Sequence, residues 1–474
     1  MSTPPPSDAS RRPAHGPPAG AVTSKEPVSE AAIARQLASL SWPIIGLNML
    51  NVLALAVDTA MCGRLENAEQ ALTALGFATQ LIFLLMVAMM GLVVGTVATV
   101  ARSHGAGMPD RVQHTLEQSA QLTVVLGLVV AVLGNLFAPG FVRVMGGSEP
   151  VVELAVEYLR PMLWATALPY VNVLFGAALR GVGNTKLAFL IALLINGLNA
   201  LFNYGFILGN LGFPALGLAG AAWGTILAYA IGVTTMVTLL VRGAEPAIRL
   251  QLRLRRPDLP LIRQLVLIGW PAALDMVVLN AAFLSIVGML GRIDEVAVAA
   301  HGIGLRIQAL AFVPGMSIAQ ATGALVGQAL GAKLPERART VLRASLGLNL
   351  GIMTSLTALL IGFDHEILGI FEVDPDGLLG RHALEWMHLL GYGMPIAGAH
   401  IAFVGLLQGA GATMVSLRIN GFVTALQIPA SWLLGFPLGL GAWGVWAAFP
   451  LAFVIKVVLS YRAYRAGTWA RTGT

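Results

Sequence analysis

The chain has 474 residues, of which 57% are hydrophobic and 11% charged, where an average soluble protein has about 25% charged residues. With a mean hydropathy of +0.77, this excludes an ordinary soluble enzyme or binding module and points to a polytopic membrane protein. The net charge of +6 fits the excess of Lys and Arg in cytoplasmic loops, so it is no argument for a nucleic-acid partner. The single cysteine, Cys62, excludes an intrachain disulfide and a multi-cysteine metal site.

Residues 1 to about 30 are rich in Pro, Ser and Ala and read as a disordered cytoplasmic tail, taken to 35 where the first lobe begins. No signal-peptide pattern precedes the first apolar run, so that run is expected to stay as an anchor. Twelve apolar segments follow, at roughly 39–63, 71–100, 118–138, 151–179, 187–209, 217–241, 265–290, 297–329, 342–362, 380–408, 415–437 and 440–464. Each is long enough for the about 20 residues of a spanning helix. They are too long and too uniformly apolar for the alternating strands of about 10 residues in a barrel.

The first segment carries LALAVDTAMCGR, Leu53 to Arg64, with one carboxylate, Asp58, inside it. A charge at bilayer depth costs roughly 2.5–3.5 kcal/mol on insertion scales, which marks Asp58 as a functional candidate. Its plain alternative is an acid at a helix end, wetted by headgroups. The fifth segment carries Asn199 and Asn203, four apart and therefore on one helix face. Thr225 in the sixth adds a hydroxyl. One carboxylate with neutral oxygens suits a proton or a hard monovalent cation. The alternative for the two asparagines is interhelical hydrogen bonding.

Positive residues cluster after even-numbered segments, as at Arg102 and Arg111, Arg180 and Lys186, and Lys333, Arg337, Arg339 and Arg343. Acids such as Glu149, Asp294 and Asp364 fall after odd-numbered ones. The positive-inside rule then places both termini in the cytoplasm. Residues 242–264 form a cytoplasmic linker between a first lobe, 36–241, and a second, 265–464, with a cytoplasmic tail from 465 to 474.

The two halves repeat. SWPIIG at Ser41–Gly46 answers GWPAAL at Gly269–Leu274, at offset 228 (270 − 42). HGAGMPDR at His104–Arg111 answers LGAKLPER at Leu330–Arg337, at offset 226 (331 − 105). LRGVGNTK at Leu179–Lys186 answers LQGAGATM at Leu407–Met414, again at 228 (407 − 179). AAWGT at Ala221–Thr225 answers GAWGV at Gly441–Val445. Six spans return the chain to one side, so the copies are parallel repeats about an axis along the membrane normal, as in secondary transporters. The expected fold is all-α and integral to the membrane, with twelve transmembrane helices in two six-helix lobes related by pseudo-two-fold symmetry.

From about residue 36 to 464 the chain resembles the multidrug and toxic compound extrusion (MATE) transporters, in their NorM-like branch. The resemblance rests on VDT-x3-GR at Val57–Arg64, RG-x-GNTK at Arg180–Lys186, the asparagine pair, GLAGAAWGT at Gly217–Thr225 and AAH at Ala299–His301. It implies a secondary antiporter in a bacterial inner membrane. Such a protein exports amphipathic organic cations in exchange for H⁺ or Na⁺, needs no cofactor beyond that ion, and acts as a monomer among membrane lipids. It also implies that Asp58, Asn199, Asn203 and Thr225 line the cation site. Many relatives carry Asp where Asn203 stands, so the site here has one negative charge fewer. That weakens a Na⁺ site and leaves H⁺ open.

The second half departs from that pattern. Where NorM-like relatives carry a Glu about eight residues after the seventh-span Pro, this chain has Leu279, followed by Asn280. Asp275, four after Pro271, is a candidate substitute or a direct contact for a cationic substrate. His301 and Arg306 are candidate partners for Asp275, which would make the second lobe neutral and leave coupling to the first. Met61, Met86 and Met276 offer soft surface for broad substrate binding, or serve as core. A lipid-linked-precursor flippase of the same superfamily is the alternative function. It would more often show extra spans and several cationic residues in its cavity. A membrane-embedded enzyme would need a nucleophile–base pair or a metal cluster, and His301, His388 and His400 lack metal-binding spacing.

Overall fold

A computed structural model describes residues 29–248, 250–251 and 255–471. The tail at 1–28 therefore lies outside the described residues, as do 249, 252–254 and 472–474. Fourteen α-helices, and no strand, occur among the described residues. The first seven are α1 (Glu30–Cys62), α2 (Ala68–Gly105), α3 (Pro109–Val144), α4 (Glu149–Trp164), α5 (Ala167–Val182), α6 (Thr185–Leu208) and α7 (Gly217–Val241). After the linker come α8 (Leu259–Leu290), α9 (Glu295–Gly331), α10 (Pro335–Gly362), α11 (Asp364–Ile370), α12 (Leu378–Gly409), α13 (Thr413–Gly435) and α14 (Gly441–Ala466).

Ten of these helices are long and apolar enough to cross a membrane, and the bent pair α4–α5 makes an eleventh span. The twelfth is α13, whose 23 residues carry a polar stripe of Ser416, Asn420, Thr424, Gln427 and Ser431. Spacings of three and four put that stripe on one face, and Ser416, Thr424, Gln427 and Ser431 are buried.

Most helices run past the expected apolar segments, as α3, α8 and α10 do by six to nine residues at their starts, and three features differ in kind. Helix α1 starts at Glu30, where the Ser29 side chain accepts from Ala32 N at 3.2 Å as a cap, so the end of the assigned tail is helical. The span expected at 151–179 is broken by 53° between Trp164 and Ala167. Pro169 explains the break: it has no N–H for the carbonyl of Ala165, and its ring crowds that carbonyl. The short helix α11, inside an expected acidic loop, had no periodicity to announce it.

The repeat is visible in single bonds. Thr96 Oγ1 donates to Ser119 Oγ at 3.0 Å, and Thr322 Oγ1 to Ser345 Oγ at 2.7 Å, each pair displaced by 226 (322 − 96; 345 − 119). The RG-x-GNTK stretch is a corner. Gly183 takes φ +93° to end α5, and the Asn184 side chain caps α6 by accepting from Leu187 N at 3.1 Å. Its counterpart Gly411 turns with φ +70°.

The lobes meet in the half of the bundle nearest the linker. Ile33, Leu37, Leu40 and Ile44 of α1 join the core formed by α9, α10 and α12. In return, Leu261 and Leu265 of α8 pack into the first lobe. Hydrophobicity does not drive helices together in lipid, so close approach of small residues does. A Cβ on Gly105 would strike the backbone of Gln328, and one on Gly331 the backbone of Arg102. Those two glycines are the repeat-related pair of the GA motifs. Two bonds across the lobes flank them: an Arg102 guanidinium N–H donates to Ala410 O at 2.8 Å, and Gln328 Nε2 to Gly181 O at 2.8 Å. Deeper in, Asn48 Nδ2 donates to Ser317 Oγ at 2.9 Å.

Candidate functional site

Asp58 lies one turn from the end of α1, half-buried against α6. Asn203 Nδ2 donates to Asp58 Oδ1 at 2.6 Å. One turn back on α6, Asn199 Nδ2 donates to Thr225 Oγ1 at 2.9 Å, and that hydroxyl donates to Ala221 O within α7 at 2.8 Å. Three helices thus bring the four first-lobe candidates together. Asn199 and Asn203 are both buried, as two residues four apart on an inward face must be.

The amide of Asn203 is half used. Its nitrogen serves the carboxylate, while its carbonyl oxygen is buried and accepts no hydrogen bond. Gly224 makes the space: a Cβ there would collide with that oxygen. A buried carbonyl without a donor costs about 1–3 kcal/mol. Beside a carboxylate it is a ready second oxygen for a small cation. The other groups around Asp58 are neutral. Cys62 follows one turn later and is fully buried, and Tyr158 and Tyr229 lie within electrostatic reach. No basic side chain forms an ion pair with Asp58 among the described residues.

The second lobe does not arrange its candidates as expected. Asp275 Oδ2 accepts from Asn420 Nδ2 at 2.8 Å and from Ser416 Oγ at 3.4 Å, both on α13. It does not pair with His301 or Arg306. His301 is buried, its Nδ1 accepts from Trp386 Nε1 at 2.9 Å, and its ring stacks on Trp446. Asp275 lies 15 residues before the end of α8 (290 − 275) and His301 six after the start of α9 (301 − 295). Along antiparallel neighbours the two are therefore about 13 Å out of step. Arg306 is exposed and makes no ion pair among the described residues. Asn280 Nδ2 donates to Met276 O of its own helix at 3.0 Å. Met61 and Met86 pack on first-lobe cores, and Met276 is half-buried.

Each lobe therefore holds one Asp–Asn bond, between its first and fifth spans, across the same separation of 145 residues. Yet Asp275 trails Asp58 by only 217 positions (275 − 58), eleven short of the repeat offset of 228. Eleven helical residues are about 16 Å, so the second pair sits three turns closer to the linker. At the position equivalent to Asp58 stands Ile286, fully buried, and at the position equivalent to Asn203 stands Ser431, also buried. His388 is engaged elsewhere, with Asp364 Oδ2 at 2.8 Å from its Nε2.

Two groups in the second lobe stand outside the sequence-based candidates. His400, in the tenth span where some relatives carry an acid, bridges Asn420 and Ser460. Lys456 is buried in α14. In the sequence it carries the same mark as Asp58, a lone charge in an apolar run, and the same rule finds it.

The MatE family model matches the chain twice, over residues 43–205 and 271–433. The two matches are displaced by 228 (271 − 43), the offset of the internal repeat. The chain is similar to the "Probable multidrug resistance protein YoeA" of Bacillus subtilis, 25% identical over 454 residues, which are 94% of this chain and 97% of that protein. It is similar to proteins called "Probable multidrug resistance protein NorM" from Thermotoga maritima, 25% identical over 94% of this chain and 95% of that one, and from Burkholderia mallei, 28% identical over 91% and 92%. Its fold matches the crystal structure of MATE in the bent conformation with a TM-score of 0.85 at 21% identity, covering 94% of this chain and all of that one. It matches equally well, at 22% identity and with the same coverage, the outward-facing conformation of a multidrug resistance MATE family transporter of the MOP superfamily.

Proposed function

The chain belongs to the MatE family, and from that membership we propose that it is a secondary active antiporter that exports amphipathic organic cations in exchange for H⁺ or Na⁺ by alternating access. It is a membrane transporter and not an enzyme. What supports the coupling half of the reading is one observation: Asp58, half-buried and bonded to Asn203 at 2.6 Å, forms no ion pair among the described residues and has an idle carbonyl oxygen within the same cluster.

An uncompensated charge among apolar helices is costly. Asp58 therefore favours taking a proton or a monovalent cation whenever the lobe opens it to one. Loading cancels the charge, and the Asn203 amide then loses the anion it donates to. The α1–α6 contact weakens or re-forms around the ion, and with it the lobe's packing changes. Alternating access follows if drug and ion favour opposite packings, since a ligand shifts an equilibrium only through its differential affinity for the two states. In this reading both termini and the linker face the cytoplasm of a bacterial inner membrane. The glycine-lined contact at the linker end is then the cytoplasmic closure. The protein works as a monomer, with membrane lipids as its only other partners.

Dye efflux from cells and dye uptake into everted vesicles test this. Asp58→Asn keeps the size of the side chain and removes its charge, so export is expected to fall at least about tenfold while the protein still reaches the membrane. Full export by the variant would remove the first-lobe mechanism. In vesicles, imposing a pH gradient and a Na⁺ gradient separately identifies the coupling ion, and export driven by neither would refute antiport.

A further inference from the structure

Lys456 has no part in the mechanism above, yet it is buried, 6% exposed, in the middle of α14. A buried ammonium persists only with a partner. Its nearest ring is that of Phe453, with the nitrogen 5.7 Å from the centroid, and the acid within its electrostatic reach is Asp275.

Hydrogen bonds run from Asp275 across the bundle to Ser460, one turn from Lys456, whose ammonium makes no ion pair within 4.0 Å and no hydrogen bond among the described residues. Asn420 Nδ2 donates to Asp275 Oδ2, so its Oδ1 is left to accept. It lies 3.0 Å from His400 Nε2, which must therefore carry the proton. In the neutral ring, the form that burial without a carboxylate contact favours, His400 Nδ1, 3.2 Å from Ser460 Oγ, accepts from the serine hydroxyl. This is the neutral tautomer of His400, fully satisfied. Ser460 lies one turn after Lys456 on the same face of α14. The charged groups here are thus one carboxylate and one ammonium. First-lobe Asp58 has the matching Asn bond but no ion pair among the described residues.

We infer that Lys456 is the permanent counter-ion of Asp275: a cation tethered to the chain that fills in the second lobe the role that a solution cation fills at Asp58, so that only the first lobe takes up an ion in each cycle. The last clause rests on the antiport reading; the pairing itself does not. The eleven-residue displacement agrees with it. The second-lobe pair sits in the half of the bundle where the lobes are packed together, away from the level of Asp58.

Full-length protein, purified in detergent, tests the pairing by thermal unfolding. Lys456→Met strands a buried carboxylate and should lower the unfolding midpoint by about 4 °C or more. Asp275→Asn combined with Lys456→Met removes both charges and should return it to within about 2 °C of the parent, the non-additivity of a coupled pair. If Lys456→Met does not accumulate, recovery of accumulation in the double variant is the same rescue, and no recovery overturns the pairing. A single variant as stable as the parent also overturns it.

Transport gives a readout that a merely structural role would not move. The parent should be activated by its coupling cation with a Hill coefficient of about one, and Lys456→Met, which frees Asp275 to take an ion, with a coefficient rising toward two. A folded double variant that exports nothing would show that Asp275 handles ion or substrate itself. Asp58→Asn, run alongside, reads the first lobe independently. Retained export there defeats the antiport mechanism while the unfolding data still decide the pair.

Discussion

Asp58 and Asp275 are the same residue, each bonded to an Asn 145 positions later, and they sit in different company. The difference is one of neighbours. Around Asp58 stand amides, a thiol and two phenols; around Asp275 stand an amide and a hydroxyl, with the Lys456 ammonium within electrostatic reach beyond 4.0 Å. A charge whose partner is built in stays charged, and one whose partner must come from solution can switch. Gly224 is the least conspicuous member of the first site and the most exacting. Its missing Cβ is the room that the Asn203 carbonyl oxygen occupies. Gly224→Ala should push that amide off Asp58 and lower export about tenfold with the fold intact, since one methyl in a close-packed core is felt locally. Unchanged export in cells with normal protein levels would show that the Asn203–Asp58 bond is dispensable.

At the scale of elements, the linker is stitched to α3. Asp258 caps α8 by accepting from Leu261 N at 3.1 Å, and its Oδ2 lies 2.8 Å from His114 Nε2. Gln118 brackets the same turn, donating to Arg256 O and accepting from Asp258 N, and Arg255 pairs with buried Glu117 at 2.5 Å. The hydrogen bond from His114, then that from Leu261 N, hold the Asp258 carboxyl below its usual range. Its folded value is thus under the unfolded value of about 3.9. The linkage contribution is full above that value and disappears as pH falls through the depressed one. Protection of the Arg255, Arg256 and Asp258 amides against exchange, relative to an unstructured chain at the same pH, should accordingly fall below about pH 3.9. At neutral pH, Asp258→Ala removes cap and partner together. Trypsin should then cut after Arg255 roughly fivefold faster, because the cap no longer holds the turn; the bond after Arg256 precedes Pro257 and is not a trypsin site. An unchanged cutting rate would mean that the other contacts alone hold the linker.

For the molecule as a whole, the repeat supplies a closure and the departures from it supply direction. Gly105 and Gly331 are repeat mates, and each presses on the backbone of the other lobe. Arg102 and Gln328, related by the same offset of 226 (328 − 102), each reach a carbonyl across the interface. Gly331→Leu inserts a side chain where Arg102 backbone now lies, so the linker end should be held apart. A cysteine placed at Gln408 would then react with a water-soluble maleimide several times faster, and export would fall; Cys62 is fully buried and leaves the background low. Equal reactivity with and without Gly331→Leu would show that the closure tolerates the leucine. In the proposed cycle, an Asp–Asn pair at a different height in each lobe would let one loading event at Asp58 tilt the first lobe against the second.

Much of this was legible in the chain. The apolar runs define the spans, because in lipid only a helix satisfies its own backbone. The Trp-Pro, Gly-Ala and Gly-Asn-Thr stretches define the repeat, and a spacing of four puts Asn199 and Asn203 on one face with Asp58 as the acid they could serve. The rest was not local. The break at Ala165 depends on what Pro169 does to a carbonyl one turn back. The partner of Asp275 depends on how four helices are rotated and how high each stands, and hydropathy reports neither. Sequence spacing orders residues along one helix; which charge meets which across helices is decided only when the bundle closes.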